Sequence, residues 1–249
     1  MTVGIILAAG RGKRFGAEVA GKNKVAHDVA GKPLVVFGVE LLEKTADKSV
    51  VVVGMMAETV KAAVGDRPVV WVNQEALLGT GDAVKAAIRD IEKRGWKPDE
   101  AVIGYGDHMM LFTPELVEQM KRARQDTGAA VVMLSTIYTW PDVPAWGRIV
   151  RDQGGEVDRI VEQKAASEEE KQIRELNVGF YCVEWNFLVQ ATEKIRPNSA
   201  SGEYYLTDIV QIARGMNKQV VAIPEPFEKV GWDITTHEDL QKTEGMLKQ

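Results

Sequence analysis

The sequence predicts an α/β fold: a mostly parallel sheet with helices on both faces, plus a small antiparallel insertion. Three observations carry that prediction. Short β-branched runs, apolar on both faces, recur through the first 136 residues or so, and segments with helical spacing stand between them. Beyond about residue 138, apolar and polar residues alternate instead, as they do in half-exposed antiparallel strands. A strand with no polar face must be covered on both sides, which is what a parallel sheet between two helical layers provides.

In chain order, "TVGIIL" at 2–7 is the first strand and "PLVVFGVELLEKTA" from Pro33 the first helix. The runs "SVVVVG" at 49–54 and "PVVWV" at 68–72 are the next two strands. "GTGDAVKAAIRDIEKRG" from Gly79 is helical, "AVIGYG" at 101–106 a strand, "TPELVEQMKRARQDTG" from Thr113 a helix and "AAVVMLST" at 129–136 a strand. "WGRIVRD", "EVDRIVEQ" and "NVGFYCVEW" then form an antiparallel subdomain from about Tyr138 to Asn186. The charge run "SEEEKQIRE" at 167–175 reads as a solvated helix or loop. A helical region around "YYLTDIVQIARGM", a last strand "QVVAIP" at 219–224 and the closing "THEDLQKTEGMLKQ" complete the chain. With no internal repeat or linker, a single domain over 1–249 is expected, with the 138–186 subdomain inside it.

Of the 249 residues, 45% are apolar, enough for a sizeable core. A net charge of -5 and a pI near 5.4 argue against a nucleic-acid or membrane-surface binder, since both need a basic face. An anionic substrate therefore has to be held by a local cluster of cations. Cys182 stands alone, so no intrachain disulfide forms and a reducing compartment fits. No signal peptide opens the chain and no apolar run reaches the roughly twenty residues a bilayer needs. A soluble cytoplasmic protein is the expectation.

The chemistry begins at "GIILAAGRGKRFG", 4–16, where a buried strand ends in glycines and cations. Such a turn at the carboxyl edge of a parallel sheet exposes backbone N–H groups, and Arg11, Lys13 and Arg14 add positive charge, so the loop suits a polyphosphate. A tight surface turn with solvated cations is the plainer alternative. Two well-known phosphate motifs fail: Phe15 occupies the third glycine position of GxGxxG, and the GK[ST] of a P-loop is absent. Lys24 follows ten residues after Arg14. Gln74 precedes Gly79 and Gly81 where an extended segment gives way to a helix, and its amide offers a donor and an acceptor to a base edge. Asp107 ends a parallel strand, a carboxylate suited to a hard cation such as Mg²⁺. His108 reads as incidental, because no second His, Cys or carboxylate stands beside it at metal-site spacing.

The set "LAAGRGKRFG", "NKVAHDVAGKPL", "NQEALLGTG", "YGD", "WGRIVRD", "IVEQKAASEEEKQIRELNVGFY" and "NSASGEYYLTDIV" resembles the sugar-phosphate nucleotidyltransferases, and most nearly the uridylyltransferase (pyrophosphorylase) domain of bacterial N-acetylglucosamine-1-phosphate uridylyltransferases. The likeness runs in the family's order from Ile5 to about Lys248. It implies a Rossmann-like fold of the nucleotide-diphospho-sugar transferase type. It also implies an Mg²⁺-assisted, in-line attack of a sugar-1-phosphate on the α-phosphorus of UTP, giving a UDP-sugar and pyrophosphate. N-acetylglucosamine-1-phosphate is the leading acceptor. By the match, Arg14 and Lys24 are catalytic, holding the phosphates and the reacting centre. Leu7, Ala8, Ala9, Gly10, Gln74, Gly79, Thr80, Tyr105 and Gly106 bind the nucleotide, and Asp107 and Asp233 hold Mg²⁺. Gly147, Glu162, Asn177, Tyr205 and Thr207 bind the sugar.

The departures concern the acceptor and the metal more than the nucleotide. Lys13 replaces the family's usual threonine, and about three extra residues in "AEVAGKN" make Lys22 a rival for the role of Lys24. The family's NTG is "NVG" at 177–179, and position 233 is Asp where the nearest relatives usually have Asn. The same reaction with glucose-1-phosphate, another sugar or polyol phosphate, CTP or dTTP is the alternative, and a non-catalytic nucleotide-sugar binding module is a second. The bifunctional relatives continue into an acetyltransferase β-helix, which a chain ending at Gln249 is expected to lack. No oligomeric state is implied.

Overall fold

The structure, a computed structural model, describes residues 1–17, 21–199 and 201–247. Residues 18–20 of the expected insertion before Lys24, Ala200 in the "NSASGEYYLTDIV" motif and Lys248 lie outside the described residues. Strand β1 (Thr2–Ala8) is buried throughout, and its side chains divide by the two-residue period of a strand. Val3, Ile5 and Leu7 enter one core, Ile6 and Ala8 the other. A minor antiparallel pair, β2 (Asp28–Val29) and β3 (Lys32–Pro33), leads into helix α1 (Leu34–Thr45). Then come β4 (Lys48–Val53), α2 (Ala57–Val64), β5 (Val70–Asn73), α3 (Thr80–Lys93) and β6 (Glu100–Tyr105). The chain continues through α4 (Pro114–Thr127), β7 (Val131–Ile137), β8 (Arg148–Arg151), β9 (Val157–Val161) and β10 (Glu175–Glu184). It ends with α5 (Trp185–Lys194), α6 (Asp208–Gly215), β11 (Val220–Pro224), α7 (Phe227–Val230) and α8 (His237–Leu247).

The main sheet runs β11-β7-β10-β6-β1-β4-β5, with β8 and β9 attached through β10. Parallel pairing joins β1 to β4 and β6, β4 to β5, and β11 to β7. Helices α1, α2 and α4 cover one face, and α3, α5 and α6 the other. The fold is the mostly parallel α/β sheet the sequence predicts, with the antiparallel β8–β9 pair as its insertion.

One strand departs from its sequence pattern. "NVGFYCVEW" alternates like a half-exposed strand of a separate lobe, yet Leu176 to Val183 are all buried, because β10 runs antiparallel between β6 and β7 inside the main sheet. Its polar positions are satisfied internally: the Asn177 amide donates to the Tyr181 hydroxyl at 2.8 Å. Of the segment 138–186, it is the β8–β9 arm that stands apart from the sheet's main path. Helices α2 and α5 are not among the segments read as helical from the sequence, and α5 follows directly on β10. The charge run at 167–175 forms a single 3-10 turn, Glu170–Gln172, with Arg159 paired to Glu170. Among the described residues no helix is long and apolar enough to cross a membrane.

Candidate active site

With β4 on one side of β1 and β6 on the other, the strand order reverses at β1, and connections leaving there diverge at the sheet's carboxyl edge. The crevice this leaves is an open cleft of about 780 Å³, reached by the loops after β1 and β6. Leu7, Ala8, Ala9 and Gly10 line it from β1. Gly12 adopts a left-handed φ of 59°, and a Cβ there would stand 2.9 Å from the Ala17 Cβ and 3.1 Å from the Lys24 Cβ. Glycine is therefore what lets the loop fold down onto Lys24. Above Gly10 a Cβ would meet nothing within 4 Å, so the backbone there is open to a ligand.

Arg11, Lys13 and Arg14 all line the cleft, and Lys13 and Arg14 lie on the 3-10 turn Lys13–Phe15. None of the three forms an ion pair with a described residue, unlike Lys24, which is paired with Asp107. Burial works against the Lys24 charge, but Asp107 and Asp233 outweigh it and hold the ammonium above its usual range, with Arg14 opposing them. Lys22, the rival for this position, is not part of the cleft wall, and its charge lies near His27. Asp107 and Asp233 come from two loops tied together by the Ile234 N–H, which donates to the Asp107 carbonyl at 3.1 Å. Burial raises the Asp233 carboxyl above the carboxylate range and Asp107 adds to the rise, while Lys24 and His108 pull it down. The Thr235 hydroxyl donates to Asp233 at 3.1 Å.

These two carboxylates fit a hard divalent cation. Asp233 is held in a desolvated position beside a second anion, an arrangement a cation between them would relieve. Among the described residues there is no cluster of three or more His, Cys, Asp or Glu that could hold a metal. A Mg²⁺ here would take two protein carboxylates and complete its shell with water and phosphate oxygens, as this ion usually does.

The predicted nucleotide residues Gln74, Gly79, Thr80 and Tyr105 line the same cleft. Gly106 does not. Its N–H donates to the Leu7 carbonyl at 3.0 Å, and a Cβ there would lie 3.4 Å from Ile6, Leu7 and Val25, so it packs behind the wall. A second pocket of about 240 Å³ adjoins the cleft and shares Arg14, Thr80, Tyr105, Tyr205 and Asp233 with it. Gly147, Glu162 and Asn177 face this smaller space, as does Val178. Burial raises the Glu162 carboxyl, and Thr207 partly counters that by donating its hydroxyl to Oε1 at 3.0 Å. Thr207 supports Glu162 instead of lining the pocket itself.

Sequence reading missed three participants. Asn23 is 2% exposed, donates to the Met55 carbonyl at 2.7 Å and the Gly10 carbonyl at 3.3 Å, and accepts from the Val25 N–H at 3.1 Å. It thereby joins the glycine loop to the turn carrying Lys24, and an Asn before a short turn was the signal for it. His108 is buried, packs on Trp146 at 4.8 Å between ring centroids, and bonds the Gly231 carbonyl at 3.1 Å, so it clamps the Asp107 loop to the Asp233 loop. Lys164 lines the cleft beyond β9 and had no signal beyond its charge.

The chain matches the family described as MobA-like NTP transferase domain over residues 4–173. It is 39% identical to the bifunctional protein GlmU of Caldanaerobacter subterraneus subsp. tengcongensis over 229 residues, which is 92% of this chain and 48% of that protein. With the bifunctional protein GlmU of Caldicellulosiruptor saccharolyticus it shares 34% identity over 248 residues, 98% of this chain and 51% of that protein. The chain thus spans about half the length of the curated relatives it matches. A crystal structure of UDP-glucose pyrophosphorylase complexed with UDP-glucose superposes with a TM-score of 0.77 at 16% identity, covering 100% of this chain and 98% of that one. At that identity the likeness shows the fold.

Proposed function

The chain belongs to the MobA-like NTP transferase family, and from that premise we propose that it is a Mg²⁺-dependent sugar-1-phosphate uridylyltransferase, with UTP as donor and N-acetylglucosamine-1-phosphate as acceptor. The observation that carries the reading is the position of the charged cluster. Lys24, Asp107, Arg14 and Asp233 line the large cleft, and the last two also line the smaller pocket, so the cluster stands where a nucleotide and a sugar phosphate would meet.

The reaction joins a phosphate oxygen of the sugar-1-phosphate to the α-phosphorus, while the bond from that phosphorus to the bridging oxygen breaks and pyrophosphate leaves. Charge neutralisation and alignment dominate such a step. A bound Mg²⁺, held by Asp107 and Asp233, supplies positive charge to the phosphate oxygens. Arg14, which pairs with no carboxylate among the described residues, meets the charge that grows on the departing pyrophosphate. Lys24, kept protonated beside Asp107, steadies the phosphates at the reacting centre. Glu162 and Asn177 offer an acceptor and a donor to sugar hydroxyls, and the nucleotide lies along Leu7 to Gly10 with its base toward Gln74, Gly79 and Thr80. A cytoplasmic location goes with this proposal, because it draws on UTP and a sugar phosphate.

One observation favours keeping a second acceptor in view. Val178, 1% exposed, faces the sugar pocket where the resembled family carries a hydroxyl. A different hydroxyl pattern, as in glucose-1-phosphate, is the consequence to test. Purified protein with Mg²⁺ and UTP should release pyrophosphate with a member of a sugar-1-phosphate panel, fastest with N-acetylglucosamine-1-phosphate; silence across the whole panel would refute the proposal. Arg14→Ala should lower kcat about a hundredfold to a thousandfold with little change in the KM for UTP. A change confined to KM would mean that Arg14 binds ground-state UTP only.

A further inference from the structure

Gln74 is 5% exposed, and both hydrogens of its side-chain amide are already committed. Nε2 donates to the Gly79 carbonyl at 3.0 Å and to the Asp82 carboxylate at 2.6 Å. Both partners are acceptors, so chemistry fixes which end of the amide is nitrogen: turning it over would set Oε1 against two oxygens. Oε1 has no partner among the described residues, and Gln74 lines the cleft. The amide therefore offers a ligand an acceptor and nothing else, narrower than the donor-and-acceptor pair its residue type suggests.

Asp82 holds this orientation from the third position of α3, after Gly79 as N-cap, where the helix dipole favours a carboxylate. It lines the groove behind Gln74, not the substrate cleft, so it can act on a base only through the amide.

We propose that Asp82 is a positioning residue for nucleobase selection: it locks the Gln74 amide with Oε1 as the sole group presented, so that the base must bring an N–H to that point. The inference rests on the uridine nucleotide reading above. Uracil supplies the N–H at N3, flanked by carbonyl oxygens that Oε1 could not pair with. Cytosine presents a bare ring nitrogen at N3 and leaves a buried acceptor facing an acceptor, a mismatch that costs about tenfold to a hundredfold in kcat/KM. A methyl at C5 is not read by this contact, so thymine and uracil are equivalent to it.

The test is a kcat/KM ratio. Wild-type protein should prefer UTP over CTP, and over N3-methyl-UTP, by at least about tenfold. Asp82→Ala, which leaves only the Gly79 carbonyl as anchor, should reduce both preferences by about tenfold. Asp82→Asn keeps an acceptor oxygen for Nε2 and should retain most of them. A merely structural role at the helix start would lower UTP and CTP use in parallel, and equally in both variants, because both lose the charge. Wild-type protein that uses CTP or N3-methyl-UTP as well as UTP overturns the inference without any variant. Undiminished discrimination in Asp82→Ala overturns it too. In both cases the uridylyltransferase reading survives; that reading fails instead if UTP releases no pyrophosphate with any acceptor.

Discussion

Glu162 shows what a single buried carboxyl imposes on a binding site. Its desolvated position raises it above the usual carboxylate range, the Thr207 hydroxyl partly countering and Asp208 adding to the rise. On the proposed sugar-binding role the ionised carboxylate is the stronger acceptor for hydroxyls, and a raised pKa means that protonation begins at higher pH than for a surface glutamate near about 4.3. The KM for the sugar phosphate should therefore climb as pH falls through that raised value. Glu162→Gln should remove this part of the pH profile while leaving the part due to the substrate's own phosphate, so identical profiles for the two proteins would disprove the role. Gly179 is constrained in a different way. It sits in the irregular stretch of β10 between Asn177 and Tyr181 with φ of 78°, and a Cβ there would fall on the Tyr105 ring. Gly179→Ala should cost about 1–3 kcal/mol, read from the denaturant midpoint, and raise the nucleotide KM because Tyr105 lines the cleft.

At the scale of elements, β6 and α4 are joined by a buried ion pair. Glu100, 3% exposed, accepts from the Arg124 Nε at 2.6 Å and the Thr2 hydroxyl at 2.9 Å. Removing the cation strands a carboxylate in the core, so Arg124→Ala should destabilise the fold by about 3 kcal/mol, checked by chemical denaturation. An unchanged midpoint would mean that Thr2 and solvent suffice. Elements also show where sequence reading succeeds. Strands apolar on both faces that alternate with helical segments are legible as strands of a parallel sheet covered by helices, and "TVGIIL" and "SVVVVG" illustrate it. β10 is legible as antiparallel but not as central, since Tyr181 and Cys182 look polar until their burial and internal partners are known. In the candidate site, glycines, cations and strand-end carboxylates are visible because their chemistry is intrinsic to the residue type. His108 bonds a residue distant in sequence, Asp82 bonds another side chain, and Asn23 shows only its turn and not its bond to Met55, so the local pattern does not encode these contacts.

The whole molecule divides at β1. Parallel pairings to β4 and β5 build the half that carries the glycine loop and Gln74, while β6, β10, β7 and β11 build the half that carries the smaller pocket. β10 is the link in that second half: among the described residues β7 reaches β6 through it, and Gly104 in β6 pairs with Phe180 in β10. The consequence concerns time. Pairings between nearby segments form early because their loops are cheap to close: β4 meets β5, and β1 meets β4, across shorter stretches of chain than β10 spans to reach β6 or β11 spans to reach β7. The half with the glycine loop should therefore close first, and the contacts of β10 with β6 and of β11 with β7 last. Pulsed hydrogen exchange during refolding should find β4 and β5 amides protected ahead of those in β11; simultaneous protection would show that the sheet assembles in one step.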